Sequence, residues 1–230
     1  MLFFDPMYLL FALPGLLLAL YASYKTKSTF KRYSTVGSRY GLTGAEAANR
    51  MLSDAGVNNV TIEETKGFLS DHYDPSSRTL RLSPSVYRSK SLSAIGVACH
   101  EAGHALQHAY GFAPLHLRTA LVPATNFTSW FSYIVIILGF IMTSQPIVLF
   151  GAILFSVAVL FSLITLPVEW DASSRAKKRM VQSGVVSSAE AADAGKVLNA
   201  AFMTYVAAAV SSLLTLAYYL LRAGVFGGSD

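Results

Sequence analysis

Four long apolar runs set the terms on which this chain can fold. Met7 to Tyr24 holds eighteen residues without a charge, about 27 Å of helix against the ~30 Å of a bilayer's hydrocarbon core. Pro14-Gly15 predicts a kink there. Asp5 is the only charge before the run and no A-x-A site follows it, so it reads as a retained anchor, not a secretory signal. Phe127 to Thr143 is the second run, with Trp130 and Tyr133 placed for an interfacial aromatic belt. After the uncharged turn Ser144-Gln145-Pro146 comes the third, Ile147 to Leu166, closed by Pro167, and Met203 to Leu221 is the fourth. The whole chain is 53% hydrophobic and 13% charged, where soluble domains carry about 25% charged residues. A mainly α membrane protein with four transmembrane helices is expected.

Lys and Arg fix the expected orientation. None precedes the first run, twelve lie between the first and second, none between the second and third, five between the third and fourth, and one follows. The positive-inside rule then places residues 25–126 and 168–202 in the cytoplasm and both termini outside a plasma membrane. The net charge of +5 is an orientation signal. No basic stripe with interleaved aromatics marks a nucleic-acid surface. Cys99 stands alone, so the chain has no internal disulfide framework, as suits a reducing compartment.

The segments between the runs have a different character. Thr43-Gly44-Ala45-Glu46 is a capping box opening a helix that should end near Gly56. Val60 to Glu64 and Phe68 to Tyr73 look like short strands, and Asp74-Pro75-Ser76-Ser77 turns the chain into a further arm, Thr79 to Leu82. Such an edge could hold an extended peptide by main-chain hydrogen bonds, or could merely cover a helix. Phe112 to Asn126, with Pro114 and Pro123, should be an irregular or partly helical approach to the second run. Ser187-Ser188-Ala189-Glu190 repeats the capping box before an Ala-rich helix. The division expected is 1–24 anchor, 25–126 cytoplasmic α+β domain, 127–167 membrane hairpin, 168–202 cytoplasmic helical segment, 203–222 fourth span and 223–230 flexible tail.

Chemistry concentrates in Ser91 to Gly111. A helix there puts His100 and His104 one turn apart on one face, able to share one ion. Glu101 projects about 100° away from His100, beside a water on the metal without binding the metal. H-E-x-x-H therefore reads as a Zn²⁺ site with a carboxylate general base. A catalytic zinc needs a third protein ligand. His108 lies ~6 Å further along the same axis, too far for three histidines on a straight helix to converge on one ion. The metzincin spacing fails, because Gln107 and Tyr110 occupy its glycine and histidine positions. Glu169, an acidic residue just past the third run, is the better candidate. The hairpin of runs two and three returns it to the side that holds His100 and His104. Asp171 competes with it, and His72 and His116 could reach the same cleft.

V-A-C-H-E-A-G-H-A-L-Q-H, T-L-R-L-S-P-S-V-Y and P-V-E-W-D-A-S-S-R-A together resemble the YugP-type neutral zinc metallopeptidases, a bacterial membrane family, over nearly the whole chain. More distantly the sequence is similar to the HtpX and Ste24 membrane proteases. The resemblance implies a zincin-like cytoplasmic domain in which His100, His104 and Glu169 bind zinc and Glu101 is the catalytic base. It implies peptide or protein substrates, membrane proteins among them, and no nucleic acid. The distant relatives carry E-x-x-x-D where this chain has Ser173, which leaves the role of that Asp to Asp171 or to nothing. The expected function is that of a membrane endopeptidase acting through a Glu101-activated, zinc-bound water. The alternatives are a catalytically silent zinc-binding adaptor and a zinc hydrolase of non-peptide substrates.

Overall fold

The structure, a computed structural model, describes residues 5–67 and 70–225. The expected strand start at Phe68 and the tail beyond residue 225 lie outside these. Seven helices and three strands are present among the described residues, and four of the helices are long and apolar enough to cross a membrane. These are α1 (Pro6–Tyr33), α5 (Ala113–Ile141), α6 (Gln145–Gln182) and α7 (Ser188–Arg222). By contacts the chain forms two compact units: Met1–Ala22, Leu117–Leu166 and Thr204–Asp230 make one, and Ser23–His116 with Pro167–Met203 makes the other.

Two proline expectations are corrected. Residues 113–126, expected as irregular or partly helical, are helical throughout and form the first half of α5. Pro114 falls in the first turn, where its missing N–H breaks no intrahelical bond, and Pro123 costs the ladder one bond inside an otherwise regular helix. Pro167 does not end a helix either, since α6 continues through it to Gln182. Apolar helices tolerate an interior proline when neighbouring groups take up the freed carbonyl. At 38 residues, α6 is about 57 Å long, well beyond a bilayer's core. Helix α1 likewise runs unbroken through Pro14.

The first unit is a helical bundle with a thin core of Ile136, Ala152, Phe155, Val159, Tyr218 and Tyr219. Gly151 lets α5 and α6 meet there: a Cβ at this position would collide with the Ile136 side chain. Leu10, Leu17, Leu20, Phe127, Trp130 and Ile141 point outward. A water-soluble protein does not present that much contiguous apolar surface, whereas a bilayer solvates it.

The second unit carries the polar chemistry. Here α2 (Gly44–Asp54) follows the expected capping box, with Glu46 N–H donating to Thr43 Oγ1 at 3.2 Å and Thr43 N–H donating back to Glu46 Oε2 at 2.8 Å. Those hydrogen bonds from Thr43 hold the Glu46 carboxyl below its ordinary pKa. Its buried face, Ala47, Ala48, Met51 and Leu52, packs on α4 (Leu92–Ala109). The sheet has order β1 (Thr61–Glu64), β3 (Thr79–Leu82), β2 (His72–Asp74). Strands β2 and β3 are the expected antiparallel hairpin, with Tyr73 opposite Leu80, and β1 adds a parallel neighbour with Ile62 opposite Leu80. The Asp74 carboxylate closes the turn by accepting hydrogen bonds from Ser76 N–H at 2.9 Å and Ser77 Oγ–H at 2.7 Å. Leu80 and Leu82 are fully buried in the core beneath α4. A single turn, α3 (Pro84–Tyr87), leads into α4, whose N-cap Ser91 accepts from Ala94 N–H.

Candidate metal centre

Helix α4 is apolar on most of its circumference, with Ala94, Ile95, Ala98, Ala102, Ala105 and Leu106 all buried in the second unit's core. One strip differs. His100 and His104 stand one turn apart with ring centroids 4.8 Å from each other and planes at 81°. Facing them is the stretch of α6 that carries Glu169. The two helices touch at Gly103, where a Cβ would lie 2.6 Å from the Ala172 carbonyl oxygen. Contact that close is open only to glycine. It sets α6 at the distance from which a glutamate side chain reaches both rings.

Glu169 is 1% exposed. Its Oε2 lies 3.1 Å from His100 Nε2 and 3.6 Å from His104 Nε2. One ligand atom from each of the three residues falls within 4.8 Å of the others, a group able to hold a metal ion. The other ring nitrogens are already engaged. His100 Nδ1 is 3.1 Å from Ser173 Oγ, and His104 Nδ1 is 2.9 Å from Gln107 Oε1. Both Nε2 atoms are thus left to converge with the carboxylate. Two imidazoles and one carboxylate, converging and shielded from water, are the donor set of a catalytic zinc with one position open. The residues present therefore fit the ion.

Burial by itself would make His104 less basic than an ordinary imidazole. Hydrogen bonding to Glu169, the charges of Glu169 and Glu101, and Gln107 outweigh it and raise the pKa. The field that favours a proton at that nitrogen favours a divalent cation there too. Glu101 is partly exposed on α4. Among the described residues no hydrogen bond or ion pair engages its carboxylate, which is close enough to act on His104 through its charge. Cys99 beside the pair is buried, and burial pushes its thiol up to about 12, so no thiolate competes as a ligand.

The other candidates fall outside the cluster. His108 pairs through Nδ1 with the Tyr73 hydroxyl of β2 at 2.9 Å and lies 5.8 Å ring to ring from His116. Burial first, then the positive charges of His116 and Arg78, lower its pKa. His72 is exposed, its Nδ1 2.8 Å from the Ser70 carbonyl. Asp171 accepts from Gln107 Nε2 at 2.9 Å and pairs with Arg175 one turn on. The sequence reading named Gln107 and Ser173 only as departures from other families' patterns and gave neither them nor Gly103 a part in supporting the centre. Gln107 three residues after His104, and Ser173 four after Glu169, were the only signals for the first two, each falling on the same helix face as its neighbour.

Comparison with known proteins agrees with this chemistry. Residues 8–224 match a family described as "Putative neutral zinc metallopeptidase". A curated relative, "Putative membrane protease YugP" of Bacillus subtilis (strain 168), is 44% identical over 215 residues, 94% of this chain and 96% of the relative. No solved structure matches.

Proposed function

This chain belongs to the family described as putative neutral zinc metallopeptidases, and from that premise we propose that it is a membrane-embedded endopeptidase whose zinc is held by His100, His104 and Glu169. The observation that carries the reading is the convergence of those three donors within 4.8 Å on two helices that meet at Gly103. When bound, zinc polarises the scissile carbonyl and lowers the pKa of water at the site. Glu101 is the general base: its free carboxylate takes one proton from the attacking water as the hydroxyl adds to the carbonyl carbon, and delivers it to the departing amine nitrogen. The products are one carboxyl and one amino terminus, and Glu101 ends as it began. Ser173 and Gln107 hold the imidazoles so that neither ring must reorient during the cycle.

In this proposal the second unit is a small zincin-like domain on the cytoplasmic side of the plasma membrane. Twelve Lys and Arg between the first and second apolar runs support that side. Among the described residues strand β2 (ending in Asp74) pairs with β3 alone, and that edge supports an extended peptide as substrate. The test is incubation of the purified protein in detergent with an unfolded polypeptide, with and without a chelator. Cleavage that stops on chelation and returns with zinc is the expected result. Glu101→Gln should keep its zinc and lose cleavage by at least about 10²-fold, the usual worth of a positioned base. A variant that still cleaves at the wild-type rate would remove Glu101 from the mechanism, and a zinc-loaded wild type that never cleaves peptide would favour a silent binding protein.

A further inference from the structure

The two histidines of the candidate centre are steadied by different devices, and the one at His104 extends well beyond it. Gln107 is fully buried, which is costly for an amide unless every polar atom is paired. Its Nε2 lies 2.7 Å from the Val168 carbonyl oxygen and 2.9 Å from Asp171 Oδ2. Both of those atoms are acceptors only. The amide therefore has one tolerable orientation. Turned over, it would set its own oxygen against two other oxygens and forfeit both bonds. Held this way, Oε1 faces His104 Nδ1 at 2.9 Å, and an acceptor there requires the ring to carry its hydrogen on Nδ1. In the neutral ring the lone pair is then on Nε2, the atom that faces Glu169.

Asp171 does not move freely either. Arg175 pairs with the same Oδ2 atom, and its guanidinium lies over the rings of Phe112 and Tyr110, with centroids at 5.6 and 5.9 Å. A half-exposed ion pair on the flank of α6 is thus connected, through one buried amide, to the protonation pattern of a ring in the centre.

We propose that Gln107 is a positioning residue that fixes His104 in its Nδ1–H tautomer, with the Val168 carbonyl and the Arg175-anchored Asp171 carboxylate keeping the amide the right way round. This rests on the zinc reading above and adds to it the group that makes one ligand ready before the metal arrives. A histidine free to exchange tautomers presents Nε2 as a ligand only part of the time, so losing the amide lowers metal affinity without removing a ligand.

Two measurements decide it. In full-length, zinc-free protein labelled with ¹⁵N-histidine, at alkaline pH where the rings are neutral, the His104 signals are assigned by their loss in His104→Gln. The proton is expected on Nδ1, and a signal showing it on Nε2 overturns the proposal. In zinc titrations against a chromophoric chelator, Gln107→Met, which keeps the volume and removes the amide, should weaken binding by roughly 10–100-fold. Asp171→Leu should weaken it in the same direction but less. Binding by Gln107→Met within about twofold of wild type overturns the proposal too; should that variant not fold, the ¹⁵N result alone decides. A wild type that binds no zinc would reject the metal reading, while leaving the tautomer result interpretable on its own.

Discussion

Glu169 is a carboxylate with almost no access to water and two imidazole partners. Glu169→Ala leaves two ligands of three, and the expectation is a loss of bound zinc larger than the ~10–100-fold that supporting residues control, read as metal per chain after dialysis. Undiminished stoichiometry would send the search for a third ligand elsewhere. Ser173→Ala removes only the partner of His100 Nδ1, so zinc should bind about tenfold more weakly with cleavage reduced in proportion. The grouping of His100, His104 and Glu169 was legible in the sequence for chemical reasons: a metal-binding group needs particular donor atoms, and few residue types carry them. Ser173 and Gln107 were not. Hydroxyls and amides are common, and only burial at a helix contact gives one of them a role; burial is a property of the packed pair, not of either segment. Ser173 sets a neutral hydroxyl beside His100, while Asp171 reaches His104 through Gln107.

Among the elements, the contact between α4 and α6 is the critical one. A side chain at Gly103 would push directly on the Ala172 carbonyl, backbone against side chain, with no flexible atom to yield. Gly103→Val should therefore separate the helices and cost about 1–3 kcal/mol, seen as a lower thermal midpoint together with weaker zinc binding. Gly103→Ala should do the same to a smaller degree. Thr43→Ala, remote from the centre, should cost about 1 kcal/mol through the lost cap and leave zinc affinity unchanged. Most elements were legible because their signals are local: the capping boxes at Thr43 and Ser187, the Asp74 turn and the alternation of Thr79 to Leu82 each stabilise their own segment. The two prolines misled for the opposite reason. Whether Pro123 or Pro167 stops a helix depends on what surrounds it, and amid long apolar sequence both helices continue. The parallel pairing of β1 with β3 also left no local trace, since it joins strands that are not neighbours in the chain.

At the scale of the whole molecule, four apolar helices and an uneven distribution of basic residues make a topological prediction. In a Cys99→Ser background, a cysteine at Thr143 should react with an impermeant maleimide on intact cells. One at Ser76 should react only after lysis. The reverse pattern would invert the orientation and move the proposed catalytic side outside. The helices themselves were readable because length and hydropathy are enough to define a span. That α6 runs unbroken from apolar into polar sequence was not, because hydropathy is silent past Pro167, whereas the start of α7 was marked by the Ser187 capping box. His100 and Glu169 lie 69 positions apart, with two apolar runs between them. On the proposed reading, a ribosome that has released only the first of these residues has made an incomplete metal centre, and it stays so until the two apolar runs and Glu169 have followed. Assembly of the proposed centre is thus ordered by the chain itself.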